Sequence, residues 1–368
     1  MRVKRLKITL LLSLMLLLQC NFLYSQDKSL SPFFYSFNYR TGENKPHREV
    51  IKNLTYPYSG FDIKMGWQTV GNRDWQVAYR YPSLGIGVNW NTFNTEIIGE
   101  PVAAYFFTNF PQITTDWFRI DLELDLGLSY GINPYNQYTN PKNMATGSSL
   151  NVIFGLYLEQ SFHVTPVVDF FVSEGLTHYS NGATGWPNLG LNIPSLKFGF
   201  RHYYQQPQYV NKKKKFDFDR NFQLNTYIGY GSKKLFAPTP TYREFLISPS
   251  LYYRIGYKRR LGLGFEVAYN ESKQGLRYWD PYPPEELITY AVHFSHEYLI
   301  ERFTILTQLG LYLGESPSDY NINGYYVYER LGLGYYLFDN VRLSLCLKAH
   351  YIKAEYVEFG LVYDINFK

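Results

Sequence analysis

The segment THYSNGATGWPNLGLN, residues 177–192, contains the side chains whose types and spacing best suit catalysis. His178 and Ser180 lie two positions apart in a strand-like run, so both would point to the same face of a strand. A serine becomes a nucleophile when an adjacent base accepts its proton, and histidine is the most frequent base. The pair therefore suits a serine nucleophile with a histidine base. The alternative is the polar, water-exposed end of a strand before a hairpin turn.

The residues that follow this pair predict a turn that returns the chain to the same strand. Asn181 and Asn188 offer amide donors, and Gly190 lets the backbone approach a ligand closely. Such donors stabilise the charge that develops on an attacked carbonyl oxygen. The same turn would bring Asn192 back beside His178.

Motifs of other enzyme classes are absent from the sequence. It has no Gly-x-Ser-x-Gly elbow, no His-Glu-x-x-His zinc helix and no phosphate-binding loop. His293 and His296 would point to opposite faces of a strand, so they could not share a metal ion. Cys346 is the only cysteine after residue 20, which excludes an internal disulfide in the mature chain. We therefore expect no metal and no cofactor.

Residues 1–25 have the pattern of an export signal, with a basic start, the apolar run ITLLLSLMLLL and a cleavage site before Gln26. A lipoprotein signal ending at Cys20 is the alternative, although Gln19 suits that motif poorly. Removal of the signal takes four positive charges from a formal net charge of +5 and leaves about +1. Nucleic acid is therefore not indicated as a partner.

Strict alternation of apolar and polar residues predicts β-strands throughout the mature chain. In WFRIDLELDLGLSYGI, residues 117–132, apolar side chains form one face and Arg119, Asp121, Glu123 and Asp125 fall on the other. A charged inner face and an apolar outer face are typical of a barrel whose outside meets lipid. Aromatic residues make up 19% of the chain, as suits strands and membrane interfaces.

About sixteen strand-like runs follow residue 26, and the runs that can be delimited, one of them at 74–82, number one more, so one short run would be an arm or a loop. We predict an all-β protein, an antiparallel transmembrane β-barrel of about 12–16 strands. Two smaller barrels in tandem, divided at VNKKKKFDFD, are the alternative. The lysine run at 212–215 would be a solvated loop or a contact for lipid phosphates.

The stretch HYSNGATGWPNLGLN resembles the signature of outer-membrane lipid A deacylases, the PagL-like acyloxyacyl hydrolases. The shared pattern is His-x-Ser-Asn, then Pro-Asn-x-Gly, then a third catalytic residue two positions later. Segments 81–90, 99–107 and 140–151 are similar to the longer, Bacteroidetes-type form of the family. The resemblance covers about residues 58–205, and 206–368 carries barrel pattern only.

By this resemblance Ser180 would be the nucleophile, His178 the general base and Asn192 the third catalytic residue. Asn181, Asn188 and Gly190 would form the oxyanion and substrate side of the site. Small members of the family carry Glu in place of Asn192. An asparagine can fix the histidine tautomer but cannot stabilise the imidazolium by charge, which predicts a reaction slower by about 10²–10⁴-fold.

The resulting domain prediction is a signal peptide at 1–25 and an outer-membrane barrel at 26–368. The predicted function is a serine esterase of the cell outer membrane that removes an ester-linked acyl chain from lipid A of lipopolysaccharide. Its partners would be lipopolysaccharide and membrane lipids. A non-enzymatic barrel, either pore or structural protein, is one alternative, and an esterase of other phospholipids is another. The sequence gives neither the oligomeric state nor the ester cleaved.

Overall fold

The computed structural model describes residues 32–210, 215–235, 239–276, 283–314, 326–351 and 353–367. The export signal predicted for 1–25 lies outside these residues, as does most of the lysine run at 212–215. Among the helices of this described part, none has the length and apolar character needed to cross a membrane.

The first half of the chain forms a closed barrel of eight antiparallel strands, each paired with its neighbours in sequence. The strands are β1 Phe33–Glu43, β2 Pro57–Gln68, β3 Ser83–Thr92, β4 Gly99–Thr114, β5 Phe118–Ile132, β6 Leu150–Thr165, β7 Val168–Ser180 and β8 Leu191–Tyr203. Pairing of β1 with β8, with Phe37 opposite Phe200, closes the barrel.

The second half forms another closed barrel of eight antiparallel strands. The strands are β9 Phe222–Lys234, β10 Thr241–Gly256, β11 Arg259–Asn270, β12 Ile288–Ile300, β13 Phe303–Tyr312, β14 Val327–Phe338, β15 Val341–His350 and β16 Lys353–Asn366. Short helical turns occur at Glu49–Ile51, Asp74–Ala78, Ser272–Leu276 and Pro284–Leu287. Pairing of β9 with β16 closes this barrel, and the pairing runs from Gln223–Asn366 to Gly231–Glu358.

The predicted all-β class and the prediction of about sixteen strands are confirmed, and the strands close as two barrels of eight. The chain thus forms two barrels in tandem, which was the alternative prediction, and not the single larger barrel that the sequence favoured. Alternation fixes which side chains point inward, but closure depends on which distant strands pair, and alternation does not carry that information.

The run at 74–82, which the sequence pattern predicted as a strand, is instead a short helix, Asp74–Ala78, followed by a reversal of the chain. The Gln76 side chain accepts hydrogen bonds from the backbone N–H of Gly71 at 3.0 Å and of Asn72 at 2.9 Å, which orders the segment before the helix. Arg80 and Tyr81 then take φ values of 62° and 60°, which a strand does not contain. The run is therefore a loop between β2 and β3.

Charged side chains fill the interior of the first barrel. Glu123 on β5 pairs with Lys64 on β2 and with Lys197 on β8, and each of these side chains is at most 1% exposed. Arg119 and Asp121, also on β5, pair with each other. An eight-strand barrel is just wide enough for its side chains to fill. The predicted charged inner face of β5 is thus an ion-paired core.

The second barrel has an interior of the same kind. Arg330 pairs with Glu266 at 2.6 Å and with Glu358 at 2.9 Å. Lys348 lies 3.1 Å from both Glu244 and Glu266. Charges on strands far apart around the barrel therefore hold its walls together.

Glu123→Ala is expected to lower the free energy of unfolding by about 3–5 kcal/mol, because it leaves Lys64 and Lys197 buried without their shared carboxylate. Urea unfolding in detergent micelles, followed by tryptophan fluorescence, measures the change. The control is Glu43→Ala, which removes an exposed ion pair with Lys45 and should cost less than about 1 kcal/mol. Equal losses in the two variants would contradict the ion-paired core.

The outward faces of the strands are apolar. On β3, Ile86 and Val88 are 49% and 45% exposed, whereas Asn89 and Asn91 point inward and are buried. This arrangement reverses that of a soluble protein and is the one expected of a barrel surrounded by lipid.

The two ends of each barrel differ in the length of their connections. At one end β6 and β7 are joined by two residues, as are β10 and β11, β12 and β13, and β14 and β15. At the other end most connections are longer, among them 133–149 and 181–190, and the exception is the two-residue connection of β15 to β16. We call these the short-turn end and the long-loop end.

The barrels contact each other at the short-turn end. Arg73 forms an ion pair with Glu301, and the Tyr79 hydroxyl donates a hydrogen bond to the Leu299 carbonyl at 3.0 Å. The Lys258 ammonium lies 4.7 Å from the centre of the Tyr79 ring. The segment between β2 and β3 therefore docks on the turns of the second barrel.

Candidate active site

His178 and Ser180 lie in the last three residues of β7, at the long-loop end of the first barrel. Thr177 and Tyr179, their neighbours in sequence, point inward and are 1% exposed. His178 and Ser180 therefore lie on the outward face, each partly buried.

His178 faces Asn192 across the β7–β8 ladder, where the two residues form a directly opposed pair. The His178 Nδ1 atom lies 2.6 Å from Asn192 Oδ1. An amide oxygen is only an acceptor, so this contact places the ring proton on Nδ1 and leaves Nε2 with a lone pair. The geometry thus gives the histidine the tautomer that a general base requires.

His47, in the segment between β1 and β2, completes a chain of hydrogen bonds that the sequence did not indicate. The Asn192 Nδ2 amide donates to His47 Nδ1 at 3.0 Å. The Lys45 N–H donates to the Asn192 carbonyl at 2.9 Å and ties the segment to β8. His47 lies 145 positions from Asn192, and its local sequence carries no signal of this contact.

Partial desolvation lowers the pKa of His47 from its ordinary value, and the nearby Arg48 and His178 lower the pKa further. A lowered pKa keeps the imidazole neutral at neutral pH. Neutral His47 can accept the amide proton of Asn192, so the Asn192 amide is held with its oxygen toward His178.

Asn181 and Asn188 order the turn after β7. The Asn181 N–H donates to Asn188 Oδ1 at 3.0 Å, and Asn181 Nδ2 donates to the carbonyls of Gly185 and Pro187. The Asn181 side chain is buried within the turn, so its amide is not presented to a substrate. For the Asn188 Nδ2 donor, no acceptor is found in the part of the chain that the structure describes.

Gly190 supports the histidine and does not itself face an open site. Its φ is 76°, and a Cβ at this position would lie 2.4 Å from the His178 Cε1 atom. Any other residue would displace the imidazole ring. The sequence-based expectation that Gly190 belongs to the oxyanion or substrate side thus differs from its observed contact.

Ser180 is held by the turn that follows it. The Gly182 N–H donates a hydrogen bond of 3.3 Å to Ser180 Oγ. Among the hydrogen bonds of the described residues, none joins Ser180 Oγ to His178, although the two side chains share a face. Catalytic hydrogen bonds often form fully only when substrate is bound.

Metal-binding clusters are not part of this arrangement. In the ranges that the structure describes, no group of three His, Cys, Asp or Glu side chains could hold a metal ion.

Two protein-family models match the chain, and the limits of the matches lie close to those of the two barrels. The model of the lipid A 3-O-deacylase (PagL) family matches residues 60–201, and the model of the acyloxyacyl hydrolase C-terminal domain matches residues 221–367. The chain belongs to the PagL-like acyloxyacyl hydrolase family. The resemblance carried by residues 178–192 is confirmed, and the PagL match spans all of β7 and most of β8.

The family comparison also identifies the second half of the chain, for which the sequence pattern predicted only barrel strands. The family's C-terminal domain coincides with β9–β16, so the second barrel is a family domain in its own right. No curated protein matches the chain.

The chain is also similar, at low sequence identity, to several solved structures. Acinetobacter baumannii OccAB4 is 8% identical, with 93% of this chain and 100% of that chain covered and a TM-score of 0.23. The siderophore receptor PirA from Pseudomonas aeruginosa is 10% identical, with 93% and 82% covered and a TM-score of 0.22. At these TM-scores the likenesses carry no argument about this chain.

Proposed function

We propose that the protein is an outer-membrane serine esterase that removes an ester-linked acyl chain from lipid A of lipopolysaccharide. The observation that supports this most directly is the hydrogen bond of 2.6 Å between His178 and Asn192, beside Ser180 on the outward face of a PagL-like barrel. It supplies an oriented base next to a hydroxyl, which is the minimum for nucleophilic ester cleavage.

In the proposed reaction Ser180 Oγ attacks the ester carbonyl carbon while His178 Nε2 accepts the hydroxyl proton. The tetrahedral intermediate collapses, the carbon–oxygen bond to lipid A breaks, and His178 returns the proton to the leaving sugar or acyl hydroxyl. Water then attacks the acyl-enzyme, with His178 again as the base, and releases the fatty acid. The chemistry requires no cofactor.

Two hydrogen-bond donors belong to the turn that follows Ser180, next to the ester that this serine would attack. The Gly182 N–H already points at Ser180 Oγ, and the Asn188 side-chain amide belongs to the same turn. We assign both to the oxyanion site, and Asn181 to ordering the turn. Donors fixed in advance stabilise the transition state without reorganisation.

Asn192 takes the place that a carboxylate holds in small members of the family. Its amide oxygen orients His178, and His47 fixes which end of the amide faces the histidine. We therefore propose that His47 and Asn192 act together as the orienting group.

His47→Ala is expected to lower kcat about threefold to tenfold, because the Asn192 amide loses one hydrogen bond worth roughly 0.5–1.5 kcal/mol. His47→Gln retains an acceptor and should restore most of the rate. Since a protonated His47 cannot accept from Asn192, the wild type should lose activity at acid pH more steeply than His47→Gln. Initial rates of fatty-acid release between pH 4 and 8 measure this, and superimposable profiles would contradict the role of His47.

The apolar outward faces of the strands and the export signal proposed for 1–25 support placement in the outer membrane. The site at the long-loop end would then lie on the outer surface, because bacterial barrels carry their longer loops outside the cell. Lipopolysaccharide and other membrane lipids are the proposed partners at this face.

A pore is less well supported than an enzyme. Side chains such as Lys64, Lys197 and Arg330 are at most 1% exposed and are ion-paired across the barrel interiors. Filled interiors suit a scaffold that presents a site on its outer wall.

The test is incubation of the purified full-length protein with lipopolysaccharide in detergent, with free fatty acid and lipid A mass followed by mass spectrometry. We expect one fatty acid to appear while lipid A loses the corresponding acyl mass. A parallel incubation with phosphatidylethanolamine and phosphatidylglycerol separates a lipid A esterase from a general phospholipid esterase. Absence of fatty-acid release from every lipid would refute the proposal.

A further inference from the structure

The turn that carries the site touches the second barrel directly. The Lys234 N–H, at the end of β9, donates a hydrogen bond of 2.9 Å to the Ala183 carbonyl. Val357 on β16 packs against Gly182, where an added Cβ would lie 3.1 Å from Val357 Cγ2. Gly182 and Ala183 are both buried.

These contacts fall where the second barrel opens along its closing seam. The β9–β16 pairing ends at Gly231 and Glu358. Beyond this point β9 continues to Lys234 beside β10, and the first residues of β16 pair with β15. The backbone donor of Lys234 is thereby turned toward the other barrel.

The turn from the first barrel fills this opening. An unpaired strand edge offers backbone donors that another segment can satisfy. Ala183 supplies the acceptor for Lys234, and Val357 limits the space next to Gly182. The turn is therefore held on one side by its own asparagines and on the other by the second barrel.

The same turn controls the position of the serine. Gly182 and Ala183 have φ values of 63° and 62°, a left-handed pair that an L-residue adopts at a cost. Such a conformation persists when the surroundings impose it. The Gly182 N–H that points at Ser180 Oγ is set by this conformation.

We propose that the second barrel is a brace for the active site, in which the backbone N–H of Lys234 and the side chain of Val357 position the 181–185 turn. The inference rests on the proposed esterase function and assigns a role to the C-terminal family domain. The first barrel supplies the reacting groups, and the second barrel fixes the Gly182 donor beside Ser180.

Lys234→Pro removes the N–H and places a ring carbon against the Ala183 carbonyl, and Lys234→Ala is the matched control that keeps the N–H. A proline fits here because β9 no longer pairs with β16 at this position. We expect Lys234→Pro to lower kcat about tenfold to a hundredfold with little change in KM, because a small misplacement of a catalytic group is costly. Lys234→Ala should retain the wild-type kcat.

Val357→Ala provides a second test that does not depend on how the proline variant folds. Its control is Ile288→Ala, an exposed aliphatic side chain at the same long-loop end of the second barrel. Hydrogen exchange of peptides from 181–190 should rise in Lys234→Pro and Val357→Ala and stay unchanged in both controls. The labelling rate of Ser180 by a fluorophosphonate should fall in parallel with kcat.

The outcomes separate this inference from the proposed function. An active wild type whose Lys234→Pro and Val357→Ala variants match it in kcat, labelling and exchange overturns the brace alone. Raised exchange without any loss of kcat or labelling also overturns it, because the contacts would then be structural only. A wild type that is labelled at Ser180 but releases no acyl chain from lipid A refutes the substrate assignment, while the labelling rates still test the brace.

Discussion

Ser180→Ala is expected to abolish acyl release from lipopolysaccharide, with kcat/KM lower by about 10⁴–10⁶-fold. The variant removes the only atom that attacks the ester in the proposed mechanism. His178, Asn192 and the Gly182 donor remain, so substrate binding should persist and residual activity should come from the oxyanion site alone. Fatty-acid release measured by mass spectrometry gives the rate.

Ser173→Ala is the matched control for this variant. Ser173 lies on the same strand, β7, but points into the barrel and is fully buried. Its loss should leave acyl release within about twofold of wild type, since a small polar-to-apolar change away from the site has a minor effect. His178→Ala should cost about as much as Ser180→Ala, and the double variant no more than either, because the two groups act as a unit. Equal release by wild type and Ser180→Ala would remove the serine from the mechanism.

Changes at Asn192 should have the second-largest effect, in opposite directions for two substitutions. Asn192→Ala removes the acceptor 2.6 Å from His178 Nδ1, so the ring loses its fixed tautomer and kcat should fall about 10²–10³-fold. Asn192→Asp keeps the length of the side chain and adds a negative charge that stabilises the imidazolium formed during attack. We expect kcat to rise about tenfold to a hundredfold.

Comparison of kcat and KM for the two variants tests this assignment. Both substitutions should act on kcat, because Asn192 contacts His178 and His47 and orients the base during the chemical step. A rate for Asn192→Ala equal to that of wild type would show that the histidine is oriented by another group. A drop for Asn192→Asp would mean that a carboxylate between His178 and His47 disturbs the ring geometry more than its charge helps.

Much of the fold could be predicted from the sequence because strand alternation is a local property. The residues of β5 separate into charged and apolar faces within one short segment, and the structure has the same two faces. The number of barrels could not be predicted in this way. It depends on the pairing of β1 with β8 and of β9 with β16, and each pair joins residues far apart in sequence.

The candidate active site could likewise be predicted from the sequence only in part. Residues 178–192 form one hairpin, so the opposition of His178 and Asn192 follows from a short turn. His47 and Val357 reach the site from other parts of the chain, and their local sequences are those of an ordinary loop and strand. The position of Gly190 against the imidazole ring also required the folded backbone, because its spacing in the sequence suits a ligand-facing glycine equally well.

The outward position of His178 and Ser180 has a consequence for how the enzyme would meet its substrate. A site on the outer wall of a membrane barrel is reached by lipids that move within the plane of the bilayer, without passage through water. The quantity that sets the reaction rate is then the mole fraction of lipid A in the surface, and not its concentration in the bulk solution. Dilution of lipid A with inert detergent at a fixed total concentration would slow such an enzyme, whereas an enzyme with its site in a water-filled interior would respond to the amount in solution.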